Sequence, residues 1–114
     1  MIKTKDYRQE IRLLDEWLIK FLDQLPPDDW HKNTVAGNWT IKDVAAHLLD
    51  GNLRILSSLR DNHASENVNI NSYQDLVTYL NRLNADWVQA LKRVSPRVLI
   101  ELLRISGKEY CDYY

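Results

Sequence analysis

The sequence predicts an all-α, up-and-down four-helix bundle built as a single domain over residues 1–114. Three observations carry this. Apolar residues recur every three or four positions in four separate segments. The 114 residues include only three Gly and three Pro, too few breakers for a loop-rich or β-rich fold. Ser and Thr start signals and Pro stop signals fall between the segments.

The first helix is expected over about residues 4–25, where Tyr7, Ile11, Leu14, Leu18, Phe21 and Leu25 form one stripe, widened by Trp17 and Leu22. Pro26-Pro27 ends it, because a proline disfavours α geometry in the residue before it. The polar stretch Asp28 to Asn38 is long for a helix connection, and a loop of this length is expected to pack on the bundle or help build a site.

The second helix, about 40–62, has the clearest start. Thr40 is a good N-cap with Asp43 at the third helical position, and Trp39 and Val44 stand where a hydrophobic staple would. Its apolar stripe runs Ile41, Val44, Ala45, Leu48, Ile55, Leu56, Leu59, with Asn52 among them. The third helix, about 72–94, opens at Ser72 with Asp75 three residues on, and Leu76, Leu80, Leu83, Trp87, Leu91 and Val94 make a heptad-like seam. In the fourth, about 96–113, Ser95 is the cap and Pro96 the first helical residue, where a missing N–H costs nothing. Gly107 is expected to break or bend this last helix.

Charge and cysteine content narrow the function. Fifteen basic and sixteen acidic residues alternate along the chain, with no basic stripe for phosphates, so no nucleic-acid partner is expected. No apolar run is long enough to span a membrane, and no apolar h-region follows Met1, so neither membrane insertion nor a signal peptide is expected. The single cysteine, Cys111, can form no intrachain disulfide and has no activating cluster near it in sequence. A cytoplasmic, reducing location and an unreactive thiol follow as expectations.

The most informative stretch is Gly37-Asn38-Trp39-Thr40-Ile41-Lys42-Asp43-Val44-Ala45-Ala46-His47-Leu48-Leu49-Asp50, with a Trp-Thr-x-x-Asp-x-x-x-His core. It resembles the start of the second helix in the DinB-like superfamily, which includes the mycothiol-dependent maleylpyruvate isomerase N-terminal domains. The similarity runs on through Asn52-Leu53-Arg54, Tyr73 to Trp87 and Ser95 to Ile100. The resemblance implies a divalent-metal site (nickel, zinc or iron) inside the bundle, with His47 as one ligand and two more from a later helix, commonly a His-x-x-x-His pair. It implies a metal-dependent protein related to thiol-linked transferases or isomerases, with a small-molecule or thiol ligand. This sequence has no histidine after His63, so the metal site is expected to be incomplete in this chain, and the bundle to lack the helix that carries the pair. The competing reading is a non-catalytic helical module, a homodimer formed through an open apolar groove.

His47 can also be read without the family. It lies at the edge of the apolar stripe, one turn after Asp43 and one turn before Gly51, with Asp50 three residues on. It is either a ligand oriented by Asp43 or Asp50, with Gly51 leaving space beside it, or a boundary imidazole hydrogen-bonded to one of those carboxylates. His63 is sixteen residues further, about 24 Å along one helix, too far to share a metal with it. His63 and His31 are expected in solvent. Trp39 could wall a pocket, but Trp17, Trp30, Trp39 and Trp87 are all expected mainly as core. Asn52 and Asn84, both on otherwise apolar faces, either line a cavity or, the favoured reading, pin helix register through a buried hydrogen bond. Arg54 is read either as a partner for an anionic substrate or as a surface ion pair with Asp50 or Asp61. No catalytic residue is assigned.

Overall fold

A computed structural model of the protein describes residues 6–35, 37–64 and 66–114. Its elements are four α-helices: α1 (Arg8–Asp23), α2 (Ile41–Ile55), α3 (Tyr73–Ala90) and α4 (Pro96–Tyr113). Short turns of tighter or wider helix extend the scheme at Pro27–His31, Leu56–Arg60 and Leu91–Arg93. No strand occurs among the described residues, and the all-α four-helix bundle stands.

The helix starts follow the local chemistry. The Thr40 hydroxyl accepts the Asp43 backbone N–H at 3.2 Å while the Asp43 carboxylate accepts the Thr40 N–H at 3.0 Å, a complete capping box. Ser72 accepts from the Asp75 N–H and Ser95 from the Val98 N–H. Residues 4 and 5, where the first helix is expected to start, lie outside the described residues. Asp6 and Tyr7 are not helical: the Asp6 carboxylate accepts the Arg8 backbone N–H at 3.0 Å, so α1 begins only at Arg8. It ends at Asp23, two residues short of the expected limit, with the Gln24 N–H bonded to the Lys20 carbonyl.

Gly107 does not break α4, which runs through to Tyr113. The glycine serves packing instead. A methyl at Gly107 would run into the Asp15 carboxylate, so its bare Cα lets α1 lie close against α4.

α4 packs between α1 and α2, and α3 lies along another face of α2. The core gathers Leu22 of α1, Ala45, Ala46 and Leu49 of α2, and Leu99, Ile100 and Leu103 of α4. Trp30 joins it from the Pro27–His31 turn, so the long connection packs on the bundle as expected. The tryptophans do not behave alike. Trp30 is 3% exposed, Trp39 and Trp87 are half-buried, and Trp17 is 63% exposed, contrary to its expected place in the core. Trp17 sits on the side of α1 turned away from α4, which no other helix covers.

The α3 seam is also drier on paper than in space. Leu76 is exposed, Leu80, Leu83, Trp87 and Leu91 are half-buried, and the buried residue of this helix is Val88, off the expected seam. Asn52 donates to the Ser106 hydroxyl at 3.2 Å, linking α2 to α4 in register, whereas Asn84 makes no such bond among the described residues.

Candidate functional site

Asp43, His47, Asp50 and Arg54 follow one another at intervals of four, three and four residues and so form one row along α2. Tyr79, Leu83, Asp86 and Ala90 form the matching row on α3. The two helices are pinned together by the Trp87 indole, which donates to the Ala46 carbonyl at 2.7 Å, and by Lys92, whose ammonium reaches the Asp43 carboxylate at 3.4 Å. A cleft of about 690 Å³ opens between the Asp50–Arg54 end of the α2 row and the α3 row, with Leu83, Trp87 and the Tyr79 ring as apolar wall and Asp50, Asp86 and Glu66 as acidic rim; Asp43 and His47 do not line it. Arg54 supplies a cation to that rim and His63 an imidazole. The Tyr79 hydroxyl donates to Glu66 at 2.9 Å and so ties the connection before α3 to the helix itself.

Each carboxylate of the α2 row has its own task. Burial works against the charge on Asp43, but the Thr40 backbone N–H, the Lys92 ammonium and the Thr40 hydroxyl outweigh it and hold its pKa below the usual carboxylate value. Asp50 is buried and pairs with the exposed Arg54 at 3.7 Å, so one of the two ion-pair partners expected for that arginine is met, though not wholly at the surface. Neither carboxylate bonds the His47 ring.

His47 is therefore left with a buried Nδ1 that has no hydrogen-bond partner among the described residues. The Trp39 ring lies 5.2 Å from the imidazole, tilted by 51°. Trp39 is held there by its loop: its carbonyl accepts the Thr34 backbone N–H at 2.9 Å and the Thr34 hydroxyl at 3.0 Å, and Asn33 bridges to Thr40. Gly37, at φ +72°, makes the turn in this loop, a conformation that costs other residues strain. Beside the histidine, a Cβ added at Gly51 would meet nothing within 4 Å, so space is indeed open there. The loop, its glycine and the capping box thus combine to fix one aromatic ring beside one imidazole.

Among the described residues, no group of three or more His, Cys, Asp or Glu side chains is arranged to hold a metal ion. One orphaned imidazole nitrogen fits a metal, but the residues present do not form a self-contained centre. His31 and His63 are exposed, as expected, and lie apart from His47 in the chain, although His63 borders the α2–α3 cleft. Cys111 is buried between α1 and α4, and burial, reinforced by Asp15, pushes its thiol pKa up, away from reactivity.

Glu66, Tyr79 and Asp86 escape the sequence reading. The one signal for Tyr79 and Asp86 was their row on α3, polar at two of four positions and meeting the leucine seam at Leu83; Glu66 precedes the helix and gave none. Asp15 escapes it too, because its partner in space, Gly107, is 92 residues away.

The family model described as mycothiol maleylpyruvate isomerase N-terminal domain matches residues 11–110. No curated protein and no solved structure matches the chain.

Proposed function

The chain belongs to the mycothiol maleylpyruvate isomerase N-terminal domain family, a DinB-like domain, and from that premise we propose that it is a metal-dependent helical protein of thiol-linked transferase or isomerase type. In this reading His47 is the one donor the described chain brings to a divalent cation (nickel, zinc or iron). The remaining donors come from outside the described residues, and the ligand acted on is a small molecule or thiol.

The observation that carries the reading is the unpartnered Nδ1 of His47. A buried polar nitrogen left without a bond costs about 1–3 kcal/mol, and a fold that carries such a cost invites an explanation from ligand binding. Neutral imidazole is a common nitrogen ligand for all three metals. The two carboxylates that would otherwise have satisfied the ring are engaged elsewhere, which leaves it available. A reducing, cytoplasmic setting belongs to the same proposal, supported by the buried free thiol of Cys111. No helix among the described residues is long and apolar enough to cross a membrane.

The test is metal binding with the missing donors supplied. Purified protein titrated with Ni²⁺ in the presence of free imidazole is expected to show paramagnetic broadening of the His47 ring signals and of the neighbouring Trp39 indole, kept in His31→Ala and His63→Ala and lost at Trp39 in His47→Ala. Broadening at Trp39 untouched by His47→Ala, or none at His47 in the parent protein, would refute the proposal.

A further inference from the structure

α1 is covered on one side only. Leu18, Ile19, Leu22 and Leu25 pack into the core or against it. Leu13, Leu14, Trp17 and Phe21 are 57%, 65%, 63% and 42% exposed. The Trp17 and Phe21 rings stack on each other at 5.5 Å and 12°, out in solvent. Isolated exposed apolar residues are ordinary in any protein, but four together on one helix face mark an interface. Leu14, Trp17 and Phe21 also have the i, i+3, i+7 spacing of a helix–helix seam.

The charges around this patch say what covers it. Arg8, Arg12 and Asp23 of α1 are paired within the chain, to Asp6, Asp112 and Arg104. Glu10, Glu16 and Lys20 are exposed and have no ion-pair partner among the described residues. Glu16 lies about 100° around the helix from Trp17, to the side of the apolar patch, whereas Glu10 and Lys20 flank the patch at its two ends, ten residues or about 15 Å apart along the axis, and carry opposite sign. A second α1 turned about a two-fold axis near position 15 brings Glu10 of each helix opposite Lys20 of the other. The same operation sets Leu13 and Leu14 against Trp17. Parallel pairing would instead place Glu10 against Glu10 and Lys20 against Lys20, and would align the helix dipoles unfavourably.

We propose that the outer face of α1 docks the α1 of a second copy of this chain, in an antiparallel, isologous dimer with Trp17 at its centre. The interface lies on the opposite side of α1 from α4 and does not depend on the His47 reading. It uses one helix from each copy, so association is concentration-dependent rather than permanent.

Sedimentation equilibrium of the full chain tests it. The parent protein is expected to move from monomer to dimer as concentration rises, and Trp17→Ala to stay monomeric. Glu10→Lys and Lys20→Glu each replace two attractive pairs by two repulsive ones, and each is expected to weaken the dimer by about tenfold. Combining both reversals restores attraction and is expected to return the dimer to parental strength. These positions are solvent-exposed, so unchanged thermal melts verify the fold of each variant. A parent protein that stays monomeric at all concentrations would overturn the proposal and give this face to a different protein. A dimer indifferent to both the tryptophan and the charge reversals would overturn it as well.

Discussion

Asp15 lies where α1 meets α4, its carboxylate against the bare backbone of Gly107 and without a hydrogen-bond donor among the described residues. Burial, and then the charge of Glu16, push its pKa above the usual carboxylate value. An acid whose folded pKa is raised keeps its proton longer in the folded state than in the unfolded one. Its contribution to stability therefore falls as pH rises from the unfolded value, about 3.9, through the folded value, and the loss persists at neutral pH. Asp15→Asn keeps the shape and removes the ionisation. It is expected to raise the melting temperature at pH 7, with the advantage over the parent disappearing below about pH 3.5. An equal difference at both pH values would mean that desolvation of the charge is not the cause. His47 presents the complementary case of a polar ring nitrogen buried without a bond among the described residues, and there the sequence already pointed to the residue, though not to its isolation from Asp43 and Asp50.

Two helices carry an interior glycine, and their surroundings separate what composition treats alike. A Cβ at Gly51 of α2 has open space around it, so Gly51→Ala is expected to stabilise by up to about 1 kcal/mol through helix propensity and the reduced freedom of the unfolded chain. The same change at Gly107 of α4 gains the same propensity but pushes its methyl into the Asp15 carboxylate, which must move. Gly107→Ala is expected to stabilise clearly less than Gly51→Ala in urea unfolding, and to recover the difference when Asp15 is also replaced by Ala. Additive behaviour of that pair would show that the two residues do not meet. The expected break at Gly107 failed for the same reason: a glycine signals permission for the backbone to turn, and here the permission is used for close approach. Helix starts were far more legible. Thr40, Ser72 and Ser95 all cap as read, because a cap is a bond to a backbone N–H three residues ahead and both ends of it lie within one short stretch of sequence.

Across the whole molecule, the core depends on a connection as much as on the helices. Leu99 is fully buried where α4 meets its neighbours, and Trp30 reaches the same cluster from the turn at Pro27–His31. Leu99→Ala is expected to cost about 2–5 kcal/mol and Trp30→Ala about 3–5 kcal/mol, each a large share of the stability of a domain this size. Trp17→Ala, with no core contact to lose, is expected to change the stability of the monomer by less than about 0.5 kcal/mol. Denaturant unfolding of the three variants below the concentration of association checks the ranking; similar costs for Trp17 and Trp30 would contradict the packing described here.

What the sequence by itself determined is the set of four helices and their caps, which follow from bonds and periodicities that repeat within a few residues along the chain. The resemblance of its Trp-Thr-x-x-Asp-x-x-x-His stretch to a known family is what singled out His47, with Trp39 before it. Only the tertiary structure decided which aromatic faces lie inside, Trp30 but not Trp17, and which polar groups find partners. It also decided that Asp50 and Arg54 of α2 face a row on α3 across a cleft. Those outcomes depend on pairs such as Asp15 with Gly107, Asp43 with Lys92 and Asn52 with Ser106, which stand far apart in the chain and share no period. A hydrophobic stripe fixes that a helix will bury one side; how far around the helix that burial extends is set by the number and angle of the neighbours that arrive.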